Sequence, residues 1–248
     1  MTEPRVTILV LCYGNYAALA RRTINSILEK CARAQYKLIV GANECGAETH
    51  GYLQGLLIAG KIDALVVEPV NVNKCPLMRK MLDAVTTQFV WWFDDDSYIT
   101  DPAALDRRLV AMDRFGPRSV LAGHVFFYHG EVAWSYGEDV KGFVKSAPWF
   151  TGAPPPSGVL EIIPNWPADR WFFVTGGCWF ARTGALRLLN WPDPRLIKRN
   201  DDVFLCEAVR QAGYKFEDIG PCGCIINDAP RRGVGEDPET MRKQVRGV

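Results

Sequence analysis

Val6–Leu11 (VTILVL) is an unbroken apolar, β-branched run, the pattern of a strand covered on both faces. Behind it Leu19, Ile24, Ile27, Leu28 and Cys31 recur at helical spacing, with Arg21, Arg22, Glu29 and Lys30 on outward positions and Asn15 placed to cap. The pattern then predicts a strand over Lys37–Ala42, a helix over Thr49–Ala59, a strand over Ile62–Glu68, a helix over Leu77–Val85 and a strand over Phe89–Phe93. Strands alternating with helices across short connections give an α/β fold, a mainly parallel central sheet flanked by helices and built with right-handed crossovers. In such sheets ligands bind beyond the carboxyl ends of the strands. Three segments sit at such ends: Tyr13-Gly14-Asn15, Asn43-Glu44 and Asp94-Asp95-Asp96.

The second half changes character. A helix is expected over Pro102–Phe115 and a strand over Ser119–Tyr128. The proline-rich stretch 146–158 (SAPWFTGAPPPSG) forms no regular structure and is either a lid or a connector. Trp171–Val174 reads as a strand that stops at Gly176-Gly177, before a short helix over Gly184–Leu189. Asp201–Ala212 reads as a helix stopped by Gly213. With no internal repeat and no clean linker, residues 1–228 are expected to form one domain, with halves 1–97 and 98–228. Residues 229–248 form a polar tail with little to bury, expected to be mobile.

Composition narrows the function classes. The 248 residues carry 29 Lys+Arg against 28 Asp+Glu, a net charge of +1, which excludes duplex nucleic-acid binding through bulk charge. At 48% hydrophobic and 23% charged the chain is neither disordered nor fibrous. No run reaches the roughly 18–20 apolar residues of a membrane helix, and Val6–Tyr13 is short for a signal peptide. The eight cysteines lack metal-ligand spacing and only three histidines accompany them, so reduced, buried thiols in a cytoplasmic protein are expected.

The segment Val90-Trp91-Trp92-Phe93-Asp94-Asp95-Asp96-Ser97 carries the most chemistry. Three neighbouring carboxylates after an apolar strand repel one another unless a cation neutralises them. Hard oxygen ligands at that density suit Mg²⁺ or Mn²⁺, shared with a diphosphate.

Strand 1 with Tyr13, the strand end at Val40–Glu44, the DDDS triplet, the later Gly-Gly and the Asp-Asp helix together resemble family 2 glycosyltransferases of the GT-A fold, over roughly residues 5–228. The resemblance implies a Rossmann-like domain with a nucleotide-sugar-binding first half and an acceptor-binding second half. It assigns Asp96 to the metal and Asp94 to the ribose, or to the metal through water, as the two acids of a DxD motif, with Asp95 between them. Asp228 (or Asn227) is the oxygen ligand available to complete the metal shell, since no His follows His129.

On the nucleotide side, Tyr13 either stacks on the base or is a half-buried strand-end aromatic. Asn43, with Glu44 beside it, stands where the family has a base-reading acid. Among Lys74, Arg79 and Lys80, Arg79 is the one expected at the phosphates, because a guanidinium takes two oxygens at once; the alternative is helix-surface charge. Arg232, with Arg231, is placed to fold over the diphosphate. Gly176 and Gly177 allow close approach of a ligand, and Trp179 or Trp171 offers a face to a sugar. The motif Asp201-Asp202 ahead of Gln211-Ala212-Gly213-Tyr214 matches the family's catalytic pair, with Asp202 as the base and Asp201 its neighbour. At a helix N-terminus the ionised form is favoured.

The activity implied is transfer of a sugar from a nucleotide-sugar, expected to be UDP-linked, to a hydroxyl acceptor. It is metal-dependent and inverting. The acceptor stays open among saccharide, lipid, peptide and modified nucleic acid. Two rival readings are a nucleotide-sugar-binding protein without catalysis and a haloacid-dehalogenase-like phosphatase. The second requires Thr or Val where Tyr98 stands.

Overall fold

The computed structural model describes residues 3–129, 170–194, 196 and 201–228. The chain runs β1 (Val6–Tyr13), α1 (Ala17–Lys30), β2 (Tyr36–Asn43), α2 (Ala47–Ile58), β3 (Ala64–Glu68), α3 (Lys74–Asp83) and β4 (Phe89–Asp94). It continues with β5 (Tyr98–Ile99), α4 (Ala104–Phe115), β6 (Ser119–His129), β7 (Arg170–Arg182), α5 (Thr183–Leu188), α6 (Asp201–Gln211), β8 (Lys215–Asp218) and β9 (Cys224–Ile225). Seven strands form one sheet in the order β3-β2-β1-β4-β7-β6-β8, and β5 pairs with β9 in a small ribbon. The β1–β2, β1–β4, β2–β3 and β6–β8 pairs are parallel. Within the seven-stranded sheet, β7, between β4 and β6, runs antiparallel to its neighbours, and β5 and β9 are likewise antiparallel.

The two-residue period of the strands sorts the core into two layers. Val6, Ile8, Val10 and Cys12 of β1 and Phe89, Trp91 and Phe93 of β4 pack on one face against Ala20, Ile24 and Ile27 of α1 and Leu105 and Met112 of α4. Leu9, Leu11, Val90 and Trp92 pack on the other against Leu77, Met78 and Met81 of α3 and Val203, Cys206 and Val209 of α6. Alternation therefore turns Asp94, two residues beyond Trp92, toward the face that carries the first turns of α3 and α6. That placement follows from the strand itself.

Three readings of the pattern are corrected. The Gly176-Gly177 pair does not end β7. The strand passes through it, and the register against β6 slips there: Val174 faces Val125 while Trp179 faces Gly123, five steps of β7 (174 to 179) against two of β6 (125 to 123). The surplus forms a bulge next to the end of β4, a common way to re-aim backbone beside a ligand site. Asn15 does not cap α1, whose N-cap is Tyr16 with no side-chain bond. Its side-chain oxygen instead lies against Gly46, where a β-carbon would come within 1.7 Å. Helix α3 starts at Lys74 rather than Leu77, which brings Lys74 into the first turn. The stretch 146–158 and the tail 229–248 lie outside the described residues.

Gly123 sits where the slip occurs, and a β-carbon there would come 2.4 Å from Val174 Cγ1 and 3.3 Å from the Cys178 carbonyl oxygen. Gly123→Ala is expected to destabilise the fold by about 1–3 kcal/mol, as overpacking of a stiff core does. Urea unfolding followed by tryptophan fluorescence checks this; an unchanged midpoint would place the bulge elsewhere.

Candidate functional site

Helix α1 fixes the acidic loop from beneath. The buried Thr23 hydroxyl lies 2.8 Å from the carbonyl oxygens of both Asp95 and Ser97, and Ser26 Oγ accepts the Ile99 N–H at 3.0 Å. Asp95 is itself part of this scaffold: its carboxylate accepts the Tyr13 N–H at 3.1 Å, tying the end of β1 to the loop after β4. Asp96 is buried, and its carbonyl accepts the Asp228 N–H at 3.0 Å. The triplet thus divides its labour: Asp95 is turned to the backbone, Asp96 is clamped beside residue 228, and Asp94 is turned to the opposite face.

On that face one ammonium draws the parts together. Lys74 Nζ is 3.0 Å from Asp94 Oδ2, 3.0 Å from Asp201 Oδ2 and 3.0 Å from the Gly176 carbonyl oxygen. Its three protons are matched by two carboxylates and one carbonyl, contributed by β4, α6 and the β7 bulge. The other oxygen of Asp94 accepts the Trp92 indole N–H at 3.0 Å. Burial alone would lower the Lys74 pKa, but the carboxylates of Asp201 and Asp94 outweigh it and hold the ammonium well above the usual lysine range.

Asp202 is held from two sides. Its Oδ1 accepts the Val203 N–H at 2.9 Å and its Oδ2 accepts the Gly176 N–H at 3.1 Å. Burial and then the charge of Asp201 push its carboxyl up to about 7, although Lys74 and the two backbone N–H groups pull the other way. Asp201 is raised as well, by burial, with Lys74 opposing. The helix N-terminus is therefore outweighed: desolvation raises both carboxyls, and the neighbouring acid adds to the rise at Asp202. Gly176 permits the approach, since a β-carbon on it would stand 3.3 Å from Asp201 Oδ2 and 3.3 Å from Asp202 Oδ2. Gly177 is covered from the other side by Asn227, whose side-chain oxygen would lie 2.0 Å from a β-carbon there.

Several expected contacts are placed differently. Arg79 does not reach this group. Its guanidinium donates to the Pro192 carbonyl at 2.7 Å, the Asn190 carbonyl at 3.3 Å and Asn190 Oδ1 at 2.8 Å, fastening α3 to the turn after α5. Lys74 stands at the group instead, because the first residue of α3 faces the carboxyl edge of the sheet. Trp179 is 1% exposed and offers no face to a ligand. It pairs with Trp92 across β4 and β7, with ring centroids 5.7 Å apart and planes 9° from parallel. Lys74 Nζ lies 5.7 Å from the centroid of the Trp92 ring, so these indoles form the floor beneath the ammonium. Trp171 is placed as a residue of β7, its side chain outside the description, and Arg232 lies outside the described residues.

At the ends of β1 and β2 a carboxamide network engages Asn43, the residue expected at the base. Asn43 is buried; its Oδ1 accepts the Val72 N–H at 3.0 Å and its Nδ2 donates to Asn71 Oδ1 at 3.1 Å. Asn71 in turn accepts the Asn73 N–H at 2.8 Å and donates to Tyr13 Oη at 3.3 Å. Asn43 thus shapes the loop into α3, while Tyr13, Asn71 and the exposed Glu44 form the rim. Asn73 holds φ +68 just before Lys74, a left-handed turn that Asn tolerates well.

Asp228 is exposed, and its Oδ2 takes Arg22 Nη1 at 2.9 Å and the Tyr98 hydroxyl at 3.2 Å. Among the described residues no three Asp, Glu, His or Cys side chains gather as about a metal ion. The donor chemistry nevertheless suits a hard divalent cation. Asp94 and Asp201 both contact Lys74 and Asp202 lies beside them, three carboxylates around one ammonium, and a bound diphosphate would add to that negative charge. Among the described residues no helix is long and apolar enough to cross a membrane.

The fold is shared with solved structures of a mannosyltransferase and of TarS. A mannosyltransferase from Pyrobaculum calidifontis, PcManGT, in complex with GDP-Man and Mn²⁺, superposes with a TM-score of 0.66 at 17% identity, over 94% of this chain and 59% of that one. S. aureus TarS 1–349 superposes with a TM-score of 0.57 at 14% identity, over 87% of this chain and 57% of that one. The complex of the same TarS fragment with UDP-GlcNAc gives 0.53 at 14% identity, over 87% and 56%. The chain thus spans under three-fifths of the length of these structures. No family model matches it, and no curated protein does.

Both Asp201 and Asp202 are expected to titrate above ordinary aspartates. Carboxyl ¹³C shifts followed against pH should place Asp202 at about 7, and Lys74→Met should raise it further by removing the cation. A midpoint near the ordinary aspartate value of 3.8 would show the site to be wetter than the geometry describes.

Proposed function

We propose that this chain is a glycosyltransferase that moves a sugar from a nucleotide-sugar to a hydroxyl acceptor. The observation that carries this reading is the meeting of Asp94, Asp201 and the Gly176 carbonyl on Lys74 at the carboxyl edge of a mainly parallel sheet. Chain segments more than a hundred residues apart are drawn there into one acidic, largely buried group. The fold shared with PcManGT and TarS supports it, the former holding GDP-Man and Mn²⁺ and the latter UDP-GlcNAc.

In this reading Tyr13, Asn71 and Glu44 border the base, and the diphosphate lies over the 94–97 loop. Asp94, Asp96 and Asp228 would hold a divalent ion, Mn²⁺ or Mg²⁺, which supplies charge neutralisation to the departing diphosphate. Asp202 takes the proton from the acceptor hydroxyl as that oxygen bonds to the anomeric carbon. A carboxyl poised near neutrality is suited to this, because it accepts a proton more readily than an ordinary aspartate and is still ionised in part at working pH. The Val203 and Gly176 N–H groups fix its direction. A single displacement from the side opposite the diphosphate inverts the anomeric centre. The donor is proposed to be UDP-linked, with GDP-linked sugars as the comparison, and the eight free thiols support a reducing, cytoplasmic setting.

Thermal shift across UDP- and GDP-sugars with Mn²⁺, followed by transfer assays on the stabilising donor, tests the reading; no stabilisation by any nucleotide-sugar would overturn it. Asp202→Asn is expected to lower turnover by about 10²–10⁴-fold while leaving donor affinity nearly unchanged. The turnover number of the unsubstituted enzyme should rise with pH through about 7, the range set by Asp202, and level off above it. A flat profile from pH 5 to 9, where roughly all of that titration falls, would remove Asp202 as the base.

A further inference from the structure

Lys74 holds a place that the donor reading above does not explain. Its ammonium occupies Asp94 Oδ2, the indole N–H of Trp92 occupies Oδ1, and both bonds measure 3.0 Å. A divalent ion that binds Asp94 through Oδ2 must either share that oxygen with an ammonium of like sign or take it from Lys74. An ion that binds through Oδ1 must share that oxygen with the indole N–H and sit beside an unmoved ammonium of like sign. Either path is unfavourable for the ion alone. The ammonium, however, has two other partners, Asp201 Oδ2 and the Gly176 carbonyl, each at 3.0 Å. Releasing Asp94 therefore costs it one contact of three and does not leave it unpaired.

We propose that Lys74 is the resident stand-in for the divalent ion, neutralising Asp94 in the donor-free protein and keeping the metal off that carboxylate until a nucleoside diphosphate arrives with it. The proposal rests on the donor reading. The diphosphate changes the balance in two ways: it brings oxygen ligands to the ion, and it offers the ammonium an anion in place of Asp94. Ion and nucleotide then enter together, and an ion-first order is suppressed. No bond is made or broken beyond the exchange of ionic partners.

The probe is Mn²⁺ itself, its free signal followed by electron paramagnetic resonance with the full chain. Without nucleotide, Lys74→Met is expected to bind Mn²⁺ at least about tenfold more tightly than the unsubstituted protein, the effect of removing one neighbouring charge from a partly buried carboxylate. Lys74→Gln, a second uncharged variant, should do the same, with folding verified by melting. Lys74→Arg keeps the charge and should bind as the unsubstituted protein does. Adding UDP or GDP should bring the unsubstituted protein toward Lys74→Met. Equal Mn²⁺ affinity of the uncharged variants and the unsubstituted protein overturns the proposal, and so does a tenfold gain in Lys74→Arg. If the unsubstituted protein takes up Mn²⁺ with nucleotide and the uncharged variants gain nothing, only the stand-in role falls. If no form takes up Mn²⁺ even with UDP or GDP, the metal-assisted donor reading falls with it.

Discussion

Carboxylates crowded at the end of a buried strand must meet positive charge, and here one lysine side chain supplies it. Lys74 sits at the first turn of α3 and spends its three protons on β4, α6 and the bulge of β7. Each of those elements could pack in its apolar core without this ammonium, but their polar ends could not lie so close together. Removing the charge would leave Asp94 and Asp201 buried and opposed, the costly half of a broken ion pair. The same charge limits how far the pKa of Asp202 rises, so the geometry and the proton affinity of the site have one source.

The backbone around that ammonium is shaped for the purpose. The bulge at Thr175–Cys178 turns the Gly176 N–H to Asp202 and its carbonyl to Lys74, so that one peptide neighbourhood serves both the acid and the cation. On the opposite face, α1 reaches the acidic loop through Thr23 and Ser26. Arg22 of the same helix holds Asp228, whose N–H binds Asp96. The loop after β4 is thereby fixed by α1 below and by residues 227–228 at its side.

The strand–helix alternation of the first half was readable because covered strands must be apolar throughout and their helices amphipathic. The face of Asp94 was readable too, since it shares the two-residue period of Val90 and Trp92. The choice between Lys74 and Arg79 was not. Both are cations on one short helix, and what separates them is the contact of Lys74 with Asp201, 127 positions later (201 − 74), against that of Arg79 with the 190–192 turn. Trp179 and Asn43 misled for a related reason. A tryptophan beside two glycines looks available until its cross-strand partner Trp92 is known, and a strand-end carboxamide looks free until Val72 and Asn71 claim it. Sequence patterns report local periodicity; which polar groups become partners is decided by tertiary closure.

The parallel indoles under the ammonium also give the molecule an optical property. Trp92 and Trp179 lie 5.7 Å apart and within 9° of parallel, close enough for their excited states to mix and to imprint a paired signal on near-ultraviolet dichroism. A positive charge 5.7 Å from one ring sets up an electric field that shifts that indole's transition and not its neighbour's equally. Any displacement of the charge is thus written into the protein's own spectrum, with no label attached.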